Sequence, residues 1–179
     1  MTAKRLSGFP PQMAPDCQAL VLGSFPGAVS LAAGDYYANP RNQFWSIASL
    51  ALDQDLTSKP FELRYRALQS IGLGLWDVIE NCEREGSLDQ AIKAEQPVSF
   101  AGLRTLAPNL RTLLLNGRKA QQGARRVLSA AGLSGYRLID LPSTSPAHAA
   151  MSRDEKAAEW LAALHLALPD YFPACNEKS

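Results

Sequence analysis

The chain is poor in the side chains that carry most metal, redox and disulfide chemistry: of 179 residues only three are cysteine and two are histidine. Cys17, Cys82 and Cys175 are odd in number, far apart and without paired-ligand spacing. That argues against an iron–sulfur cluster, a zinc knuckle or a disulfide framework, and fits a reducing compartment. No apolar run approaches the length that spans a bilayer, and Met1 to Arg5 leads into no signal-type hydrophobic segment. The expectation is a soluble cytoplasmic protein without membrane contact, associated with the nucleoid if bacterial. Net charge is only +1, so no global field recruits a polyanion and any anionic partner must be held by local clusters. There is no G-x-G-x-x-G, no G-x-x-x-x-G-K-[ST], and no acidic residue placed as a ribose reader or within a metal ligand set. A small-molecule enzyme built on a nucleotide cofactor is therefore disfavoured. Repeats, low-complexity blocks and domain linkers are also missing. A composition that is 46% hydrophobic and 20% charged suits one globular domain over residues 1–179.

What is present reads as α/β. Short apolar runs at Gln18 to Leu22, Leu73 to Val78, Arg111 to Leu115 and Tyr136 to Leu141 are strand candidates. Between them, helical patterns lie near Asn42 to Leu52, Pro60 to Ser70, Leu88 to Ala94, Phe100 to Leu106, Lys119 to Ala131 and Ser152 to Leu166. Ser152 followed by Glu155 forms a capping box for the last. Right-handed crossovers then predict a three-layer α/β/α domain around a four-stranded parallel sheet, all strand ends facing one rim. Ligands sit at such rims.

The strand ends carry more than turn formers. The first runs into Gly23-Ser24-Phe25-Pro26-Gly27 and then a polar-aromatic stretch with Ser30, Asp35, Tyr36, Tyr37, Asn39, Arg41, Asn42, Phe44 and Trp45. The others end in Trp76-Asp77, in Asn116-Gly117-Arg118-Lys119, and in the stiff, hydroxyl-rich Pro142-Ser143-Thr144-Ser145-Pro146-Ala147-His148. Together they offer stacking surfaces, neutral hydrogen bonders and local positive charge, the groups that grip a flat heterocycle on a phosphate chain. Each residue also has a plain structural reading. Asn42 is a good helix cap, Asn116 a good turn residue, and Phe44, Trp45, Trp76 and Trp160 good core. A solvated helix face accounts for Arg125 and Arg126, and an amphipathic helix for His165.

Several segments carry a resemblance: Gly8-Phe9-Pro10-Pro11; LGSFPG with Ser30-Leu31; Tyr36-Tyr37 through Pro40-Arg41-Asn42-Gln43-Phe44-Trp45; Leu75-Trp76-Asp77-Val78; Arg84-Glu85-Gly86-Ser87-Leu88-Asp89; Asn116-Gly117; and LPSTSPAHA. In this combination and order the chain resembles the uracil-DNA glycosylase superfamily, and most of all its hypoxanthine (deoxyinosine) DNA glycosylase branch. The resemblance implies an enzyme that flips a deaminated base out of DNA and hydrolyses its N-glycosidic bond in base excision repair, as a monomer and without metal or cofactor. Many superfamily members place Asp or Asn before the proline of the first motif to position the attacking water. Here that position is Phe25. The hypoxanthine branch is understood to use the asparagine of its Pro-Arg-Asn-x-Phe-Trp segment instead, which maps onto Asn42. Asn39, where several relatives carry His, is the second candidate. The resemblance further implies a base pocket from Gly23, Ser24, Phe25, Tyr37, Phe44 and Asn116, with Phe25 the favoured stacking ring. DNA contacts fall to Pro142, Ser143, Thr144, Ser145, Pro146, His148, Arg41 and Lys119. Two alternatives stay open: uracil or a mismatch as the target, and a non-catalytic damaged-DNA binder, which the loss of a polar residue at position 25 leaves standing.

Overall fold

The structure, a computed structural model, describes residues 5–148 and 150–172; Cys175 lies outside them. In chain order the elements are β1 (Arg5–Ser7), β2 (Ala19–Gly23), α1 (Ala28–Ala33), α2 (Phe44–Leu52), α3 (Phe61–Gln69), β3 (Leu73–Asp77), β4 (Ile79–Glu83), β5 (Lys93–Pro97), α4 (Leu103–Leu106), β6 (Thr112–Asn116), α5 (Arg118–Ala130), β7 (Arg137–Leu141) and α6 (Arg153–Ala167). None of these helices is long and apolar enough to cross a membrane.

The expected sheet forms, with four parallel strands in the order β3-β2-β6-β7. Side chains alternate across a strand, so β2 and β6, buried at every position, feed two separate cores. On one face Val21, Leu73, Leu75 and Leu114 pack with Trp45, Ile47, Leu68, Trp160 and Leu164 from α2, α3 and α6. On the other, Leu20, Leu22, Leu113 and Leu115 pack with Leu103, Ala124, Val127 and Leu128 from α4 and α5. The helical layers on both faces give the α/β/α sandwich. The chain leaves β2 for β3 on one side and later places β6 on the other, so the strand order reverses beside β2. A crevice opens at such a reversal, outside the carboxyl ends of the strands.

A second, antiparallel sheet in the order β1-β4-β5 was not legible in the sequence. It corrects the helix expected over Leu88 to Ala94. Only a single 3-10 turn forms, at Asp89–Ala91, and the chain then extends into β5 with Ala94 at φ 47°, which a helix does not tolerate. Pairing with β4 outweighs the helix propensity of this Leu-Asp-Gln-Ala segment. The short helix α1, inside what reads as a loop, was also missed. The helix expected over Phe100 to Leu106 shrinks to one turn, Leu103–Leu106. The Ser152 capping box is present, with Ser152 Oγ accepting from the Glu155 N–H and the Glu155 carboxylate accepting from the Ser152 N–H.

Gly123 of α5 lies against Val78, just beyond the end of β3. A Cβ there would stand 2.4 Å from Val78 Cγ2. Alanine favours a helix over glycine by up to about 1 kcal/mol, but overpacking a closed contact costs about 1–3 kcal/mol. Gly123→Ala is therefore expected to lower stability by about 1 kcal/mol in urea titration. A stabilised variant would show that Val78 gives way freely.

Candidate active site

A cleft of about 980 Å³ opens at the carboxyl rim of the parallel sheet. All four strand ends reach it: Gly23 at the end of β2 with Phe25 beyond it, Asp77 at the end of β3, Asn116 at the end of β6 with Gly117 to Lys119 beyond it, and Ser143 to His148 after β7. Of the residues expected from the sequence, Asn39, Asn42, Arg41, Gly23, Ser24, Phe25, Tyr37, Asn116, Ser143, Thr144, Ser145, Pro146, His148 and Lys119 line it together. Phe44 and Pro142 do not.

The first wall is the Gly23 to Gly27 turn, held from outside by the segment after β4. Ser24 Oγ donates to Asp89 Oδ1 at 2.6 Å, and the Ala28 N–H donates to Ser87 Oγ at 2.8 Å. The Arg84 guanidinium donates to the Pro26 carbonyl and stacks over the Phe25 ring at 5.1 Å. Cation and ring fix each other, so Phe25 is a backed platform at the cleft wall. These contacts explain why the Arg84 to Asp89 and Gly23 to Gly27 segments occur together.

The second wall is the 36–42 segment. Tyr37 sits in the left-handed region at φ 55°, an unusual conformation for an aromatic residue, maintained by its surroundings. Its ring stacks on Phe44 at 4.4 Å, and its hydroxyl accepts from Asn116 Nδ2 at 3.2 Å. Phe44, expected as a base-stacking ring, is thus a support behind Tyr37, buried against Trp45 and Trp160. Helix geometry is the reason: the first residue of α2 points its side chain into the core. Asn42 lines the cleft, and its Oδ1 accepts the Phe44 N–H at 3.0 Å from one residue before the cap position of α2, which is Gln43 and not Asn42. Asn39 Oδ1 accepts the Arg41 N–H at 3.0 Å, and its carbonyl accepts the Asn42 N–H at 2.8 Å.

The loop after β7 closes the third side. Asn116 Oδ1 accepts the Thr144 N–H at 2.9 Å, while Nδ2 donates to Thr144 Oγ1 at 3.0 Å. A backbone N–H can only donate, so the orientation of this amide is unambiguous. Both amide protons are thereby engaged within the protein. The Gln43 N–H donates to the Thr144 carbonyl at 3.0 Å, joining the second and third walls. Pro142 anchors the loop from behind, its carbonyl accepting from Trp160 Nε1 at 2.9 Å, and buried Lys156 donates to the His148 carbonyl at 3.2 Å. Ser143 and Ser145 hydroxyls accept loop N–H groups at 3.2 and 3.3 Å, which leaves their protons to donate outward.

At the mouth, Arg41 and Arg118 have no ion-pair partner among the described residues. Lys119 shares Glu95 with Arg126 at 2.5 Å, and Arg125 pairs with Asp140 at 2.9 Å. The floor holds a carboxyl at the end of β3. Asp77 is 4% exposed, and burial, with the negative charge of Asp89 added, pushes its carboxyl up to about 7 against the pull of Arg84. Its one signal in the sequence was an acidic residue closing an otherwise apolar strand. Burial keeps the Tyr36 and Tyr37 phenols well above their ordinary range, hence neutral. Among the described residues no cluster of His, Cys, Asp and Glu is arranged to hold a metal ion, and the buried Cys17 thiol is pushed up to about 12 by desolvation.

Comparison with known proteins agrees with this architecture. The family model for the uracil DNA glycosylase superfamily matches residues 10–167. A hypoxanthine DNA glycosylase of Methanosarcina acetivorans is 35% identical over 153 residues, 86% of this chain and 94% of that protein. Another, from Methanosarcina barkeri, is 41% identical over 113 residues, 63% of this chain and 72% of that protein. The solution NMR structure of a candidate uracil DNA glycosylase from Methanosarcina acetivorans superposes with a TM-score of 0.77 at 34% identity, covering 89% of this chain and 96% of that one. With matched sequence running through all four parallel strands and the loops that line the cleft, this chain belongs to the uracil DNA glycosylase superfamily.

Proposed function

We propose that this DNA glycosylase extrudes hypoxanthine from DNA and hydrolyses its N-glycosidic bond with a water positioned by Asn42, as a cytoplasmic monomer without a cofactor. The observation that carries the reading is the position of Asn42: locked at the helix start by one hydrogen bond, and facing a cleft assembled from four strand ends. The carbonyl oxygen of an amide has two lone pairs. One is taken by the Phe44 N–H, so the other accepts a proton from water and turns the water oxygen outward. An amide cannot take a full proton, so its part is alignment. The C1′–N9 bond breaks with its electron pair leaving on the base, positive charge spreads over the sugar ring, and water adds at C1′ and releases a proton to solvent. DNA phosphates stabilise the sugar cation, and fixed donors stabilise the departing base. Phe25, braced by Arg84, is the stacking platform, while Ser143 and Ser145 hydroxyls and Arg41 meet the backbone. Asn39 is the second choice for holding water, its Oδ1 being turned to the Arg41 N–H. The names of the two Methanosarcina relatives support hypoxanthine as the base, whereas the name of the solved structure favours uracil.

Single-turnover cleavage of labelled oligonucleotides carrying one hypoxanthine or one uracil, single- and double-stranded, followed by alkali, decides between them. Strong hypoxanthine cleavage is expected. Uracil cleavage alone would reassign the substrate, and tight binding without cleavage would indicate a damaged-DNA binder. Asn42→Ala should slow excision by about 100-fold, the scale of a misplaced nucleophile, with DNA binding retained. It also removes the contact at the start of α2, costing about 1 kcal/mol, so the assay belongs well below the melting temperature. Wild-type turnover by this variant would exclude Asn42. Ser143→Ala or Ser145→Ala should weaken binding by about 10-fold for damaged and undamaged DNA alike, since phosphate contacts carry no base information. Unchanged affinity in a titration across salt concentrations would remove these hydroxyls from the DNA interface.

A further inference from the structure

The chain closes β3 with a carboxyl group in a place where carboxyls are costly. Asp77 lines the floor of the cleft, its Oδ2 is fully enclosed, and no protein donor bonds it. Its register partner on β2 is Gly23, and a Cβ there would stand 2.3 Å from Asp77 Oδ1 and 3.2 Å from the Tyr37 hydroxyl. The missing side chain of Gly23 is the space in which Asp77 and Tyr37 converge. The neighbouring donors are turned elsewhere, and none of them, Arg84 Nε and Nη1 included, bonds Asp77 Oδ2. Arg84 is directed to the Pro26 carbonyl and the Phe25 ring, and the Ser24 hydroxyl donates to Asp89. A buried polar group without a partner destabilises a fold; Oδ2 is closed off from the cleft, so a carboxyl retained at this floor meets an arriving ligand through its other oxygen.

We propose that Asp77 is a base-contacting residue, its carboxyl donating a hydrogen bond to an acceptor atom of the extruded base. The inference rests on the glycosylase reading above. Hypoxanthine presents O6, N7 and N3 as acceptors, and the electron pair of the breaking C1′–N9 bond spreads onto them. A neutral acid at the floor strengthens its hydrogen bond as that charge grows, whereas an ionised one repels it. The same burial that leaves Asp77 unpartnered keeps it protonated up to about pH 7. Asp89, Arg84, Tyr36 and Tyr37 face it from the surrounding segments, and Arg41, Arg118, Lys119 and His148 stand at the mouth.

The test is single-turnover excision of hypoxanthine between about pH 5 and pH 9 by wild type, Asp77→Asn and Asp77→Ala. Wild type should fall about tenfold per pH unit above the Asp77 titration. Asp77→Asn, whose amide donates at every pH, should be slower than wild type at low pH and lack that fall. Asp77→Ala should lose about 100-fold at low pH with oligonucleotide binding intact. Thermal melts identify the titrating group. With the native pKa raised from 3.8 to about 7, wild-type stability declines as pH rises through that window, and the decline should vanish in Asp77→Asn. A fall in rate that persists in Asp77→Asn, or an unimpaired folded Asp77→Ala, would overturn the inference while leaving the glycosylase reading intact. No excision by wild type at any pH would remove both.

Discussion

The side chain of Asn116 joins three stretches of chain that are far apart in sequence. Its amide protons go to the Tyr37 hydroxyl and Thr144 Oγ1, and its oxygen takes the Thr144 N–H. Because Asn116 ends a central, wholly buried strand, its backbone is as well fixed as any in the molecule. The loop bearing Ser143 to His148 and the segment bearing Tyr37 to Asn42 take their positions from that fixed point. With the Gln43 N–H bonded to the Thr144 carbonyl, these loops become one wall. An amide that can donate twice and accept in a single rigid plane is chemically suited to this; a hydroxyl or a carboxylate at the same place could satisfy only part of it.

The opposite wall is built on different physics. Phe25, where the resemblance puts a water-positioning polar group in many superfamily members, is buried in the second hydrophobic core and is also backed by a buried arginine. Arg84 ties the turn after β2 to the segment after β4, and so makes the small antiparallel sheet part of the site. The arrangement is expensive: Arg84 Nε and Nη1 and Asp77 Oδ2 are enclosed without hydrogen-bond partners, and Tyr37 holds a left-handed backbone. Asp77, Arg84 and Tyr37 bring several such departures to the neighbourhood of one cleft, while Gln43 Oε1 and the Tyr136 hydroxyl are enclosed without partners outside it. Local cost of this kind is tolerated because the surrounding packing over-determines the geometry.

The parallel sheet was legible because a strand buried on both faces must be continuously apolar, as in Leu113-Leu114-Leu115. The antiparallel sheet was not, since its strands Arg5–Ser7, Ile79–Glu83 and Lys93–Pro97 are short, mixed and partly exposed. Nothing local in Ile79-Glu80-Asn81-Cys82-Glu83 separates a strand from a loop, although it is the central strand of that sheet. The cleft-lining residues were largely identifiable because they cluster directly behind apolar runs. Their roles were harder to read: Phe44 and Tyr37 are both aromatics in one segment, and only the start of α2 decides that one is a support and the other a wall.

By itself the sequence determined the layer order, the rim at which the cleft opens and the kinds of groups that reach it, because periodic burial and strand-end chemistry are local properties of a chain. The tertiary structure alone decided which polar groups meet. That Asn116 clasps Thr144, that Arg84 turns to Phe25, and that Asp77 is left without a donor beside Gly23 depend on contacts between residues far apart in the chain. Burial and the pKa of a carboxyl are set by such neighbours, so the character of Asp77 emerges only when the strands are laid side by side.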